Sequence, residues 1–230
     1  MDEYNWLENF KPQPVNGALA VEAVFPPVFE RYFVVEHAYG IIDDFPFDDY
    51  PEDTDSIDNL NKRHNIERAF NLFLNYESEP LYRPISIKEL AKKFGVEYSR
   101  HTLELIRPTA GISVLYHRSL DILLRLVNHL LLAPSYLYIE DVYRYGMESY
   151  KGFTLKNEIP DAEHYMHFIK EVGTDFCSYL FPRGHNWCLA SYEDVDKLTL
   201  ACNNDIAEAV LTVEELELFE VAPETILKSW

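Results

Sequence analysis

The spacing of apolar residues changes along the chain and predicts strands first, then helices. Two short apolar runs near the start, Ala18 to Phe25 and Tyr32 to Val35, predict two strands. From Asp55 the apolar residues recur at every third and fourth position, with Asp55 or Ser56 as the N-cap, and this helix should end before Pro80. The chain therefore enters a helical region after its first quarter.

Three further segments have the signature of a helix. Ser86 and Glu89 have the spacing of a capping box, and Gly95 is placed to end that helix. Ser119 to Leu132 is apolar on nearly every side, which predicts a buried helix. Asp161 can cap a helix that runs through Val172.

The last hundred residues favour strands. The predicted strands are Tyr136 to Ile139, Phe176 to Phe181, Trp187 to Ala190, Leu198 to Cys202 and Leu216 to Val221, with a short helix at Ile206 to Leu211 and a final helical turn from Pro223. We therefore expect one α+β domain over residues 1–230, with a mostly antiparallel sheet, a helical middle over 56–133 and a mainly β part over 135–230.

Composition narrows the class of protein. Hydrophobic residues make up 47% of the 230 residues, enough for a packed core. The first ten residues contain three acids and no basic residue, and no apolar run reaches the length of a membrane span. Three cysteines, an odd number, suggest free thiols. These features predict a cytoplasmic protein without membrane contact, of undetermined oligomeric state.

Charge is distributed unevenly along the chain. Residues 1–60 carry 14 acidic and 2 basic side chains, residues 61–130 carry 7 and 11, and residues 131–230 carry 18 and 7. The formal net charge of −19 repels nucleic acid and anionic lipid but favours encounter with a basic protein. A protein with a basic surface is therefore the expected partner, and nucleic acid is not.

Residues 43–58 hold eight carboxylates and no base, and we call them the acidic segment. Calcium binding of the EF-hand type is excluded because Asp58 stands where the loop requires glycine. Carboxylates interleaved with aromatic residues suit docking on a basic surface. The predicted partner contacts are Asp44, Phe45, Phe47, Asp48, Asp49 and Tyr50, with Glu193, Asp194 and Asp196 further along the chain.

Residues 86–107 resemble the opening of a bacterial helix-turn-helix, with Ala91 in the first helix and Gly95-Val96 at the turn. The segment departs from that motif because two extra residues precede Thr102 and Pro108 follows soon after. The resemblance implies a nucleic-acid-binding regulator as an alternative function. Its candidate contacts are Lys88, Lys92, Lys93, Arg100, His101 and Arg107.

Motifs for common enzyme chemistry are missing from the sequence. There is no phosphate-binding glycine loop, nucleophile elbow or dinucleotide fingerprint. Cys177, Cys188 and Cys202 with His185 have the ligand types for zinc. The three cysteines fall inside predicted strands, whereas structural zinc ligands usually come paired on tight loops, so no metal and no cofactor is predicted. An enzyme with a dispersed site, using His185, Cys188 or His37, is a further alternative.

The function that these observations favour is a noncatalytic interaction module. A strong negative charge and an absence of catalytic motifs suit an inhibitor of a basic effector, such as a bacterial immunity protein or antitoxin that neutralises a nuclease toxin.

Overall fold

The computed structural model describes residues 3–8, 10, 18–72, 82–140, 154–172, 177–191, 197–213 and 216–229. The helices in this part of the chain are α1 (Asn5–Glu8), α2 (Val21–Val24), α3 (Ile57–Ala69), α4 (Ile87–Phe94), α5 (Thr102–Leu105), α6 (Tyr116–Leu130), α7 (Ala162–Val172) and α8 (Asn204–Leu211). The strands are β1 (Ala18–Ala20), β2 (Arg31–Val35), β3 (Tyr39–Ile41), β4 (Arg83–Ile85), β5 (Ile112–Val114), β6 (Ser135–Glu140), β7 (Thr154–Ile159), β8 (Cys177–Pro182), β9 (Trp187–Ser191), β10 (Leu198–Cys202), β11 (Leu218–Val221) and β12 (Ile226–Ser229).

The chain forms two compact units, where the sequence predicts one domain. Unit 1 comprises Met1–Glu36 and Leu120–Trp230, and unit 2 is the inserted segment His37–Ser119. Two hydrophobic clusters, around Phe33 and Phe25, consist of unit 1 residues, and a cluster around Phe45 consists of unit 2 residues. The insertion begins directly after β2 and ends within α6.

Unit 1 is built on a seven-stranded sheet in the order β11-β2-β10-β9-β8-β6-β7, and every neighbouring pair is antiparallel. Both faces of the sheet are buried. Leucines and isoleucines of one face pack against α6, α7 and α8, whereas the aromatic-rich second face packs against α1, β1 and α2. Residues of adjacent strand positions alternate between these two clusters, as the pleat of a strand requires.

Unit 2 is smaller and less regular. Its sheet has three short antiparallel strands in the order β4-β3-β5. Gly40 in β3 is closely packed, since a Cβ there would lie 2.6 Å from the Cβ of Tyr82 and 2.8 Å from a methyl group of Leu115. The predicted capping box is confirmed, because Ser86 and Glu89 exchange both hydrogen bonds at the start of α4, and Gly95 ends the helix at φ 66°.

The α+β class with mostly antiparallel sheets is confirmed. Two predicted elements are wrong. Ala18 to Phe25 is a strand only as far as Ala20, because Val21, Val24 and Phe25 become buried together by forming a helical turn. The segment after Pro223 is not helical, since Thr225 turns the chain into β12, which pairs with β1.

None of the described helices combines the length and the apolar character needed to cross a membrane. The predicted buried helix at Ser119 to Leu132 corresponds to α6, which starts three residues earlier.

Candidate partner-binding segment

The acidic segment belongs to unit 2, and two aromatic side chains hold it in place. Phe45 and Tyr50 are 4% and 7% exposed and pack in one cluster with Ile42. The ring of Phe45 lies 5.4 Å from that of Tyr50 and 5.3 Å from that of Phe70. The residues between them, including a 3₁₀ turn at Phe47–Asp49, are therefore fixed at both ends.

Phe45 has room for its ring only because residue 111 is glycine. A Cβ on Gly111 would lie 2.6 Å from Cγ of Phe45, closer than real Cβ contacts. The backbone is joined at the same place, since the Ile42 N–H donates to the Gly111 carbonyl at 3.0 Å. The position of the acidic segment thus depends on a residue about sixty positions away in sequence.

All eight carboxylates of the acidic segment are exposed. Three of them already have partners. Arg83 binds Asp43 with both Nε and a terminal nitrogen at 2.8 Å, and these hydrogen bonds hold the pKa of Asp43 below its usual range. Asp49 pairs with Lys62 at 3.2 Å, and Asp53 accepts the backbone N–H of Asp55 at 2.7 Å.

The other five carboxylates form no ion pair with any described residue. They are Asp44, Asp48, Glu52, Asp55 and Asp58. Carboxylates kept in water without a cation retain their full charge for a partner. The predicted contacts Asp44 and Asp48 belong to this group, whereas Asp49 is shared with Lys62.

The structure places the predicted aromatic contacts inside unit 2. Phe45 and Tyr50 are buried, so their side chains support the segment from within. Phe47 is half-buried between Phe45 and Phe94, each at 4.9 Å, and Lys93 lies 5.8 Å from its ring centre. The segment therefore presents carboxylates outward and keeps its aromatic rings inside. The predicted contacts Glu193, Asp194 and Asp196 lie outside the described residues.

A polar network joins the acidic segment to α3. The Tyr50 hydroxyl donates to Glu67 at 2.6 Å, and Nε of Arg63 donates to the same carboxylate oxygen at 2.9 Å. Burial raises the pKa of Tyr50 to about 12, and its bond to Glu67 adds to this. Burial also opposes ionisation of Glu67, but the hydrogen bonds from Tyr50 and Arg63 outweigh it and lower that pKa.

α3 has an unusual surface for a helix of 13 residues, because none of its side chains is buried. Ser56 caps it by accepting the Asn59 N–H at 3.1 Å, as predicted. Ile57 and Leu60 are 80% and 54% exposed. Its attachment therefore depends on the Tyr50 network and on partial burial of Ile66, not on an apolar stripe.

An open groove of about 600 Å³ lies between α3 and the turn that precedes it. Its apolar lining comes from Pro46, Ile66, Ala69 and Phe70. Asp49 and Asp58 contribute carboxylates, and Lys62 contributes an ammonium group. The groove is thus a concave, mainly apolar surface next to exposed acids.

The region that resembles a helix-turn-helix does not build the expected second helix. α4 and α5 are in contact, but α5 has four residues, which is one turn. His101 pairs with Glu104 at 2.9 Å, and Arg107 donates to the Ile106 carbonyl, so both side chains have local partners. Lys88, Lys92 and Lys93 are exposed on α4, and Arg100 is half-buried. A one-turn helix is too short to serve as a recognition helix in the major groove.

The cysteines and His185 do not come together as a zinc site. Cys177 and Cys188 pack in the aromatic-rich cluster, whereas Cys202 packs in the cluster on the opposite face of the sheet. Burial raises the pKa of the Cys188 thiol, so it is not an activated nucleophile. His185 stacks on Trp6 at 4.5 Å, and burial lowers its pKa. His37, the third residue of the dispersed-site alternative, belongs to the other unit.

Within the described part of the chain, no group of three or more histidine, cysteine, aspartate or glutamate side chains could hold a metal ion.

Sequence reasoning missed the roles of Arg63, Glu67 and Arg83. The i, i+4 spacing of Arg63 and Glu67 was a usable signal for a pair on a helix, but their bond to Tyr50 has no local signature. Comparison with protein families, curated proteins and solved structures gives no match.

Proposed function

We propose that this chain is a protein-interaction module that binds the basic surface of another protein through its acidic segment. The observation that carries this proposal is the set of five exposed carboxylates without a cationic partner among the described residues. Asp48 lies between the buried rings of Phe45 and Tyr50, and Asp58 lies in the first turn of α3, so at least these two stand on ordered backbone. Charges that are already ordered lose less conformational entropy on binding than charges on a free loop.

The charge of the whole chain supports the same function. A net charge of −19 accelerates encounter with a cationic protein, and local carboxylates then determine orientation. A basic effector, such as a nuclease, exposes a cationic surface to its own substrate. We propose that the chain covers such a surface and inhibits the effector in the manner of an immunity protein or antitoxin.

The test compares two variants that lose the same charge in different units. The first neutralises the acidic segment with Asp44→Asn, Asp48→Asn, Asp55→Asn and Asp58→Asn. The matched control neutralises four exposed carboxylates of unit 1 with Asp121→Asn, Glu163→Gln, Asp205→Asn and Glu224→Gln. Each immobilised protein is incubated with lysate of the source organism at low salt, treated with nuclease and eluted with a salt gradient.

The proposal predicts a basic protein that survives nuclease treatment, elutes with salt and is lost from the acidic-segment variant but kept by the control. Salt should release it because exposed charges are screened within about 8 Å at physiological ionic strength. Equal retention by the two variants, or recovery of nucleic acid alone, would contradict the proposal.

A further inference from the structure

The groove beside α3 combines an apolar lining with charged side chains, and a partner can contact both together. Pro46, Ile66, Ala69 and Phe70 give it an apolar lining. Its volume of about 600 Å³ is within the range of ligand-binding clefts, and the groove is widely open to solvent. An apolar lining alone would accept many occupants, and the charges around it narrow the choice.

We propose that this groove receives an apolar side chain of the partner that is flanked in the partner's sequence by lysine or arginine. This inference rests on the proposed function and specifies the chemistry of the bound segment. Interfaces concentrate binding energy in anchor side chains that fill pockets, while the surrounding charges set orientation. The groove supplies the pocket, and the acidic segment supplies the charges.

Two carboxylates of the lining define the charge that the occupant needs. Asp58 is exposed in the first turn of α3 and forms no ion pair with a described residue. Asp49 stands on the other side of the groove, on the 3₁₀ turn, and Lys62 of α3 binds it at 3.2 Å. A cation of the partner would bind Asp58 directly but would compete with Lys62 for Asp49.

Because Lys62 competes for Asp49, removing Lys62 should strengthen binding of the partner, whereas the other substitutions in the groove should weaken it. Removing the ammonium group with Lys62→Gln leaves Asp49 available and removes a positive charge from the groove. The Asp49–Lys62 pair is exposed, so its loss should cost little stability. A cationic occupant should therefore bind Lys62→Gln more tightly than wild type, whereas an anionic or neutral occupant should not.

The probes are two synthetic peptides that differ at one position. The first is Lys-Lys-Gly-Lys-Lys-Trp-Lys-Lys-Gly-Lys-Lys, and the second has alanine in place of tryptophan. Both carry the same charge, so nonspecific attraction to the acidic chain is equal. Isothermal titration calorimetry at physiological salt should show the tryptophan peptide binding about tenfold more tightly, as expected for burial of one large apolar side chain.

Variants of α3 locate the binding. Ala69→Trp should fill the groove and weaken the tryptophan peptide about tenfold, whereas Leu60→Trp, on a residue outside the lining, should leave its affinity unchanged. Circular dichroism of both variants confirms that α3 is retained. Lys62→Gln should tighten binding about twofold.

Asp58→Asn has a closely matched control in unit 1. Asp58 is the second residue of α3, and Asp205 is the exposed second residue of α8, so each substitution removes the same charge from the first turn of a capped helix. Asp58→Asn should weaken the tryptophan peptide about threefold, and Asp205→Asn should leave its affinity unchanged.

These experiments distinguish failure of the groove proposal from failure of the proposed function. The groove proposal is overturned if the two peptides bind with equal affinity, or if Ala69→Trp and Leu60→Trp bind the tryptophan peptide equally. The groove proposal is also overturned if Lys62→Gln does not increase the affinity for the tryptophan peptide. If the groove fails while the four-site acidic-segment variant still loses its basic partner, the proposed function stands. If that variant and its control retain the partner equally, the proposed function fails.

Discussion

Two helices of similar length, α6 and α3, use their surfaces in opposite ways. α6 buries five leucine or valine side chains against the sheet of unit 1, namely Leu120, Leu123, Leu126, Val127 and Leu130. α3 buries none, and its contact with the rest of unit 2 includes a shared carboxylate, Glu67, that binds Tyr50 and Arg63. The first helix is held by a buried apolar face, whereas the second is held by this polar network and by the partial burial of Ile66.

The ion pairs of unit 1 involve more buried side chains than those of the acidic segment. In unit 1, Arg31 binds Glu220 and Glu208, and the buried side chain of Glu36 pairs with Lys197. In the acidic segment, the pairs Asp43–Arg83 and Asp49–Lys62 are exposed, and Asp44, Asp48 and three other carboxylates form no ion pair with a described residue. Exposed carboxylates of this kind also occur in unit 1, for example Asp121 and Glu163. We propose that unit 1 supplies the framework and that the exposed carboxylates of the acidic segment supply the binding surface.

The largest expected effect tests the difference between the helices directly. Leu126→Ala should lower the free energy of unfolding by about 2–5 kcal/mol, because the fully buried side chain leaves a cavity. Leu60→Ala on α3 should change it by less than about 0.5 kcal/mol. Urea denaturation followed by circular dichroism, which reports on helices of both units, measures both free energies of unfolding. A comparable loss of free energy of unfolding in the two variants would contradict the difference in packing between α6 and α3.

Gly111→Ala should loosen the acidic segment without affecting the sheet of unit 1. The added methyl group meets the Phe45 ring, and such overpacking costs about 1–3 kcal/mol. Hydrogen exchange should become faster over residues 42–50 and stay unchanged over β8 and β9. Unchanged exchange at residues 42–50 would show that Phe45 does not hold the segment.

Removal of the side-chain caps of α3 and α4 should have different effects on stability. Ser86→Ala should cost about 1 kcal/mol, because the capping box starts a helix that buries Ile87, Leu90 and Ala91. Ser56→Ala should cost about 0.5 kcal/mol, since the first turn of α3 can fray without exposing apolar surface. Thermal denaturation measures both values. A larger loss at Ser56 would mean that α3 is held more firmly than its contacts indicate.

The smallest effect concerns pH. The pKa of Glu67 is lower in the folded protein, so this group stabilises the fold above its unfolded pKa and loses that contribution as pH falls through the folded value. Glu67→Gln should cost about 0.5–1 kcal/mol at pH 7. That cost should shrink below about pH 4. Urea titrations at both pH values check this, with Glu163→Gln as an exposed control. A cost independent of pH would exclude the ionic contribution.

Local sequence signals predicted two kinds of element: helices whose capping residues are close in sequence, and strands long enough to show a pattern of apolar residues. The capping box at Ser86, the cap at Asp161, whose carboxylate accepts the His164 N–H, and the strands β8 to β10 are examples. β3, β4 and β5 have three residues each, too few to establish a period of two. β12 pairs with β1 across almost the whole chain, so no local pattern near Pro223 could reveal it.

The acidic segment could be found from composition, but its geometry could not. Phe45 and Tyr50 alternate with acids in a way that suits exposed anchors equally well. Their burial depends on Gly111 and Phe70, which are distant in sequence from at least one of them. The groove likewise requires α3 and the 3₁₀ turn to come together, and neither carries a motif for that contact.

Hydrogen exchange of the chain in complex with its captured basic partner tests the central claim most directly. We expect slower exchange on binding over residues 44–69, which include the five unpaired carboxylates and α3, and unchanged exchange over β8, β9 and β10 of unit 1. Protection confined to unit 1, with residues 44–69 exchanging as in the free protein, would contradict the assignment of the binding surface to the acidic segment.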